Sequence, residues 1–227
     1  MQSASLKSLF LATSFFASLC VAGAAAQAGG DQILYSFTNP GGQGWYPYAG
    51  LIMDGSGNLY GTTDSGGTSD NGTVFELVNS SGTYTEKVLY SFTGSGGDGA
   101  FPAAGLIIDA SGNLYGTTVR GGPSDNGTVF ELVNSSGTYT EKVLYSFTGS
   151  DGDGANPEAG LIMDASGNLY GTTASAGASD SGTVFELVNS SGTYTEKVLY
   201  SFTGYAGDGS SPDAGVITVA YTHLRAH

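Results

Sequence analysis

The chain has almost none of the residues that carry most enzyme chemistry. It holds a single cysteine, Cys20, and two histidines, His223 and His227, both at the extreme C-terminus. Between them lie some 200 residues without a thiol or an imidazole, which excludes thiol nucleophiles, His-based triads and His/Cys zinc sites there. Disulfides are excluded as well, since one cysteine cannot pair within the chain. Basic residues are scarce: six lysines and arginines stand against 20 acids. That balance argues against nucleic acid or anionic lipid as a partner. Beyond the N-terminal region no apolar run is long enough to span a membrane and no helical period appears.

The N-terminus reads as an export signal. Lys7 supplies the positive start, and the apolar run from Ser8 to Val21 is too short for a membrane span. Small-x-small sites follow at Ala24-Ala25-Ala26 and Ala26-Gln27-Ala28. A signal peptide over 1–26 predicts a secreted, extracellular or cell-surface protein. Cleavage would remove Cys20 and Lys7 and leave five bases against 20 acids, a formal net charge of −15.

What the chain has in abundance is repetition. Tyr35, Tyr90, Tyr145 and Tyr200 recur every 55 residues, and NSSGTYTEKVLYSFTG stands unchanged at 79–94, 134–149 and 189–204. A period of this length marks a supersecondary unit whose apolar faces are buried by its neighbours. One copy reads as four strands. GLIID (105–109) and LYGTT (114–118) flank a tight turn, and GTVFELV (127–133) and YTEKVLYSFT (139–148) flank another, NSSGT. Alternation in the last strand places Tyr139, Glu141, Val143, Tyr145 and Phe147 on one face. The expected fold is all-β, with β-propeller-like four-stranded antiparallel blades at about 51–93, 106–148 and 161–203 within a repeat region of 27–217. A β-solenoid is the competing architecture. About three blades make an incomplete propeller, which invites self-association or a longer parent chain. In the fourth copy the repeat breaks off after Val216-Ile217 into TVAYTHLRAH. Thr218–His227 is expected to be an off-register, non-native tail, the other reading being a C-terminal cap.

The units LYSFTGxxGDGAxPxAGLIxDxSGNLYGTTxxGG and GTVFELV resemble the GloVer tandem repeat of exported bacterial proteins. The resemblance runs from about Gln32 to Ile217. It implies secretion and propeller-like repeats, and it implies no established activity, so no catalytic residue is assigned.

Differences between copies concentrate in the long connections: 64–71, 119–126 and 174–181, with 39–49, 94–104, 149–159 and 204–214. Near-identical strands beside divergent loops fit a scaffold presenting a variable surface, and equally fit neutral drift. Three loop features are candidates. Trp45, Tyr46 and Tyr48, with Phe101 in the second copy, offer aromatic faces for sugar rings or a protein anchor, or else plug the edge of the first blade. Arg120 could pair with a carboxylate ligand or neutralise a nearby Asp. Asp151, Asp153 and Asn156 alternate as Ca²⁺ ligands do, and also as an Asx-Gly turn would; no other cofactor is expected. Asp54, Asp109 and Asp164 recur ahead of a turn and read as its caps. Two functional classes remain. One is a secreted or surface binding module, glycan- or adhesion-related, whose partner is a carbohydrate or a surface protein. The alternative is a propeller enzyme of lyase or lactonase type, using carboxylates and a divalent cation.

Overall fold

A computed structural model of the chain describes residues 32–38 and 42–217. The expected signal peptide and the off-register tail lie outside the described residues. Contacts divide the chain after Leu34, and the repeats belong to the unit from Tyr35 onward.

Strand-forming residues dominate each copy, and the fold reflects them. Three four-stranded antiparallel sheets run in sequence order, each a meander. Blade 1 comprises Ile52–Met53, Leu59–Thr63, Thr73–Ser80 and Thr83–Ser91. Blade 2 comprises Ile107–Ile108, Leu114–Thr118, Thr128–Ser135 and Thr138–Ser146. Blade 3 comprises Ile162–Met163, Leu169–Thr173, Thr183–Ser190 and Thr193–Ser201. The architecture is all-β and propeller-like, none of the sheets closes into a barrel, and no helix occurs among the described residues. Accordingly, no helix there is long and apolar enough to cross a membrane.

The core lies between blades rather than within one. Tyr60, Val74 and Phe92 pack with Leu106, Leu114, Phe130 and Leu132. Tyr115, Val129 and Phe147 pack with Leu161, Leu169, Phe185 and Leu187. Each copy contributes a Tyr-Ser-Phe end that reaches onto the next: Phe92 meets Phe130 edge-on at 5.1 Å, and Phe147 meets Phe185 likewise. Phe37 occupies the same place on Phe75 of blade 1, at 4.9 Å. The neighbour is what buries the residues: Leu106 and Leu161 are 3% and 4% exposed, whereas Leu51, their counterpart in blade 1, is 40% exposed.

One expected feature is corrected. The last strand does not keep a single face from Tyr139 to Phe147. Opposite it, the register shifts between Val129 and Phe130, which pair with Tyr145 and Val143 and leave Leu144 as the extra residue of a bulge. A bulge bends its strand and re-aims the side chains beyond it. Tyr139 therefore packs toward blade 1, while Leu144, Tyr145 and Phe147 pack toward blade 3.

Hydroxyl hydrogen bonds tie successive blades together. Thr62 and Thr117 donate their hydroxyls to the carbonyls of Ala104 and Ala159 in the following copy, at 2.9 and 3.2 Å. Beside them, Gly105 and Gly160 lie close to the preceding copy's main chain, where an added Cβ would make an ordinary contact at 3.4 Å with the carbonyl oxygens of Gly50 and Gly105.

Candidate functional site

On the tight-turn side the polar groups satisfy one another. Asp109 accepts from the amides of Ser111 (2.8 Å) and Asn113 (2.9 Å) and from the Asn113 side-chain amide (2.9 Å). Asn113 Oδ1 accepts from the Asn134 amide, and Asn134 Oδ1 from that of Gly137, so the two turns of a blade are tied together. The Tyr115 hydroxyl lies 3.2 Å from Asp109 and 3.0 Å from Glu131, one proton between two carboxylates. Burial and the two acids both push that phenol upward. Asp54 in blade 1 makes the same contacts. Burial would raise its carboxyl, but the hydrogen bonds from Asn58, Ser56 and Tyr60 together hold it below the usual carboxylate range. The turn-capping role expected for these aspartates is the one observed.

On the other side the two long connections of each copy pair as a short ribbon. Gly44–Trp45 pairs with Ser65–Gly66, Gly99–Ala100 with Arg120–Gly121, and Gly154–Ala155 with Ser175–Ala176. The residue after each of the three ribbons has a positive φ, Tyr46 (61°), Phe101 (57°) and Asn156 (56°), as does Ser211 (49°) at the equivalent position of the fourth copy. Its backbone is fixed by hydrogen bonds. The Phe101 amide donates to the Asn71 carbonyl (2.8 Å) and its carbonyl accepts from Val119 (3.1 Å); Asn156 does the same with Asn126 and Ala174. On this left-handed pedestal Tyr46 makes the carbonyl bond, accepting from the Asp64 amide (3.0 Å), and Ser211 the amide bond, donating to the Ser181 carbonyl (2.9 Å).

In the first copy the pedestal carries the aromatic cluster. Trp45 and Tyr46 have ring centroids 4.4 Å apart, and Tyr46 and Tyr48 lie nearly parallel (11°) at 5.8 Å. Trp45 is half-buried and anchored, its indole N–H donating to Asp70 Oδ1 at 3.1 Å. Tyr46 and Tyr48 are 50% and 68% exposed. In the second copy the pedestal holds half-buried Phe101, and the ribbon carries exposed Arg120 opposite Ala100. No ion pair joins Arg120 to another described residue. The third copy holds Asn156, whose side-chain amide donates to the Val119 carbonyl at 3.1 Å.

Asp153 is committed to its own loop. One oxygen accepts from the Thr148 amide (2.7 Å) and hydroxyl (2.9 Å) and from Tyr145 (3.1 Å), and the other from the Gly154 amide. Asp151 is an exposed turn residue at φ 56°. Among the described residues no group of three or more His, Cys, Asp or Glu side chains is placed to hold a metal ion.

Sequence reasoning passed over one set of groups. Glu86, Glu141 and Glu196 point into the blade junctions, each with a buried Oε1 that has no hydrogen-bond partner. The signal was present: an acid between Tyr139 and Val143 on an otherwise apolar face.

The profile of the Gloeobacter/Verrucomicrobia repeat matches residues 23–224 of the chain. A comparison with curated proteins gives no match.

Proposed function

The chain belongs to the Gloeobacter/Verrucomicrobia repeat family, and from that premise we propose that it is an exported binding module whose ligand is a carbohydrate, held against Tyr46 and Tyr48. The observation that carries this reading is the exposed, parallel pair of tyrosine rings, backed by an anchored Trp45, on a backbone pedestal that holds Phe101, Asn156 and Ser211 in the later copies. Aromatic faces with polar edges stack on the C–H faces of sugar rings, and Tyr loses little side-chain entropy on binding. Phe101 and Arg120, in the equivalent ribbon of the second copy, would form a weaker neighbouring contact. The acidic composition fits an uncharged ligand better than a polyanion. Export rests on Lys7 and the apolar run 8–21. The exposed Leu51 at one end of the blade stack gives self-association a surface.

A pull-down on insoluble polysaccharides and a glycan array, comparing wild type with a Trp45→Ala/Tyr46→Ala/Tyr48→Ala variant, tests the reading. Stacking contributes roughly 0.5–1.5 kcal/mol per aromatic beyond burial, so the variant should bind at least about tenfold more weakly. Equal binding by both proteins refutes the assignment.

A further inference from the structure

Glu86, Glu141 and Glu196 occupy equivalent places, each with a partnerless Oε1 and with its carboxyl near the tyrosine of the preceding copy: Tyr35, Tyr90 and Tyr145. A buried polar atom without a partner calls for a physical account. At the first junction the Tyr35 hydroxyl donates to Glu86 Oε2 at 2.8 Å, and Gln43 stands where the other copies have aspartate. The two inner junctions are wired differently. Tyr90 donates to Asp98 at 3.2 Å and Tyr145 to Asp153 at 3.1 Å. Asp98 also accepts from the Thr93 amide and hydroxyl. Glu141 therefore meets a second acid across the junction and has no tyrosine proton left to accept. Burial first, and the charge of Asp98 second, push its carboxyl up to about 7; burial and Asp153 do the same to Glu196.

The other charged and titratable groups around each junction are already engaged. Lys87, from blade 1, donates to the Gly137 carbonyl (2.9 Å) and pairs with Glu76. On the strand of Glu141, Tyr139 faces Tyr60, Glu76 and Asp54, and Leu132 lies directly opposite Glu141 in the sheet. In the next junction Lys142 donates to the Gly192 carbonyl and pairs with Glu131, and Tyr194 faces Glu131 and Asp109. Among the described residues no lysine or arginine forms an ion pair with Glu141 or Glu196; the three lysine pairs go to Glu76, Glu131 and Glu186.

We propose that the two inner blade junctions are proton-operated: each packs tightly while its glutamate carries a proton and loosens when Glu141 or Glu196 ionises. Linkage sets the direction. A carboxyl whose folded value lies above its unfolded one binds more protons in the folded state. Its contribution is complete below the unfolded value of 4.5, fades as pH rises toward about 7, and is gone above that.

The test is thermal melting of the full chain from pH 5 to pH 8, with hydrogen exchange of the strands Thr138–Ser146 and Thr193–Ser201 at both ends of that range. The wild-type Tm should fall by roughly 5 °C, and exchange in both strands should quicken. Glu141→Gln/Glu196→Gln fixes the neutral form, so it should flatten most of that slope and melt higher than wild type at pH 8. Gln43→Asp installs the missing acid at the first junction and should steepen the slope. The difference between variant and wild type is the readout, which cancels any pH effect common to both. A wild-type Tm that holds steady over the range, or a double variant that falls as steeply as wild type, overturns the proposal.

Discussion

The two sides of the blades solve the same backbone problem with different freedom. On the tight-turn side, side chains do the capping: Asp109, Asn113 and Asn134 each satisfy main-chain amides, and Tyr115 bridges two acids. Change Asp109, Asn113 or Asn134 and an amide loses its partner. On the ribbon side much of the work falls to the main chain and to Asp98 or Asp153, so the residue at 46, 101, 156 or 211 keeps its backbone bonds whatever its side chain. A fold can vary where its side chains are not needed for its own hydrogen bonds. That is why aromatic, amide and hydroxyl side chains occupy one position in successive copies of an otherwise constant scaffold.

The contrast breaks most severely in the interblade core, which both sides depend on. Phe130 is fully buried between Phe92 and the rest of the first cluster. Phe130→Ala should cost about 3–5 kcal/mol and lower the Tm by roughly 10 °C, with the proposed carbohydrate-binding loop losing affinity only as the protein melts. A variant that melts within a degree or two of wild type would show that the blades do not depend on each other as the cluster implies.

The turn side should respond less, and with a pH signature. Asp54→Asn keeps the shape of the cap but removes the charge that four donors converge on. A loss of about 1–2 kcal/mol is expected near neutrality. Because the Asp54 carboxyl is held below its ordinary 3.8 in the folded state, its contribution is present above that value and is lost as pH falls through the folded one. The variant's Tm should therefore approach that of wild type as the pH falls well below the ordinary carboxylate value of 3.8, and melts followed from neutral pH down into acid check this.

Much of the scaffold was legible in the sequence because its cause is local. Four β-rich runs separated by Gly/Asn turns at a constant 55-residue spacing leave few alternatives to repeated blades, and aspartate ahead of Gly-Asn announces a cap. The parts that escaped depend on the neighbour. Leu144 has nothing in its composition to mark it as a bulge; the register opposite Val129 and Phe130 decides that. Gly99–Ala100 and Arg120–Gly121 read as loop, since two-residue strands in glycine-rich segments carry no alternation. The shared positive φ at 46, 101, 156 and 211 was equally hidden, because Tyr and Phe are among the residues least expected there. The aromatic cluster was visible as composition, while its stacking and its anchor on Asp70 required the folded ribbon.

The finest distinction between the two sides is at Tyr46 itself. Its backbone sits at φ 61°, a conformation that an aromatic residue adopts at a cost and that Asn tolerates best among residues with a side chain. The third copy already holds Asn156 at φ 56° on the same pedestal, its carbonyl accepting from Ala174 as that of Tyr46 accepts from Asp64. If Tyr46 is kept for its ring, Tyr46→Asn should relieve strain while removing the contact surface. The Tm should then stay level or rise by about 1–2 °C, for a gain of up to roughly 0.5 kcal/mol, even as binding to the polysaccharide found in the screen falls. Stability and binding would move in opposite directions, the pattern expected when a strained residue serves a ligand rather than the fold. A Tm that drops by several degrees would place the ring among the packing residues, closing the edge of the first blade instead of facing a partner.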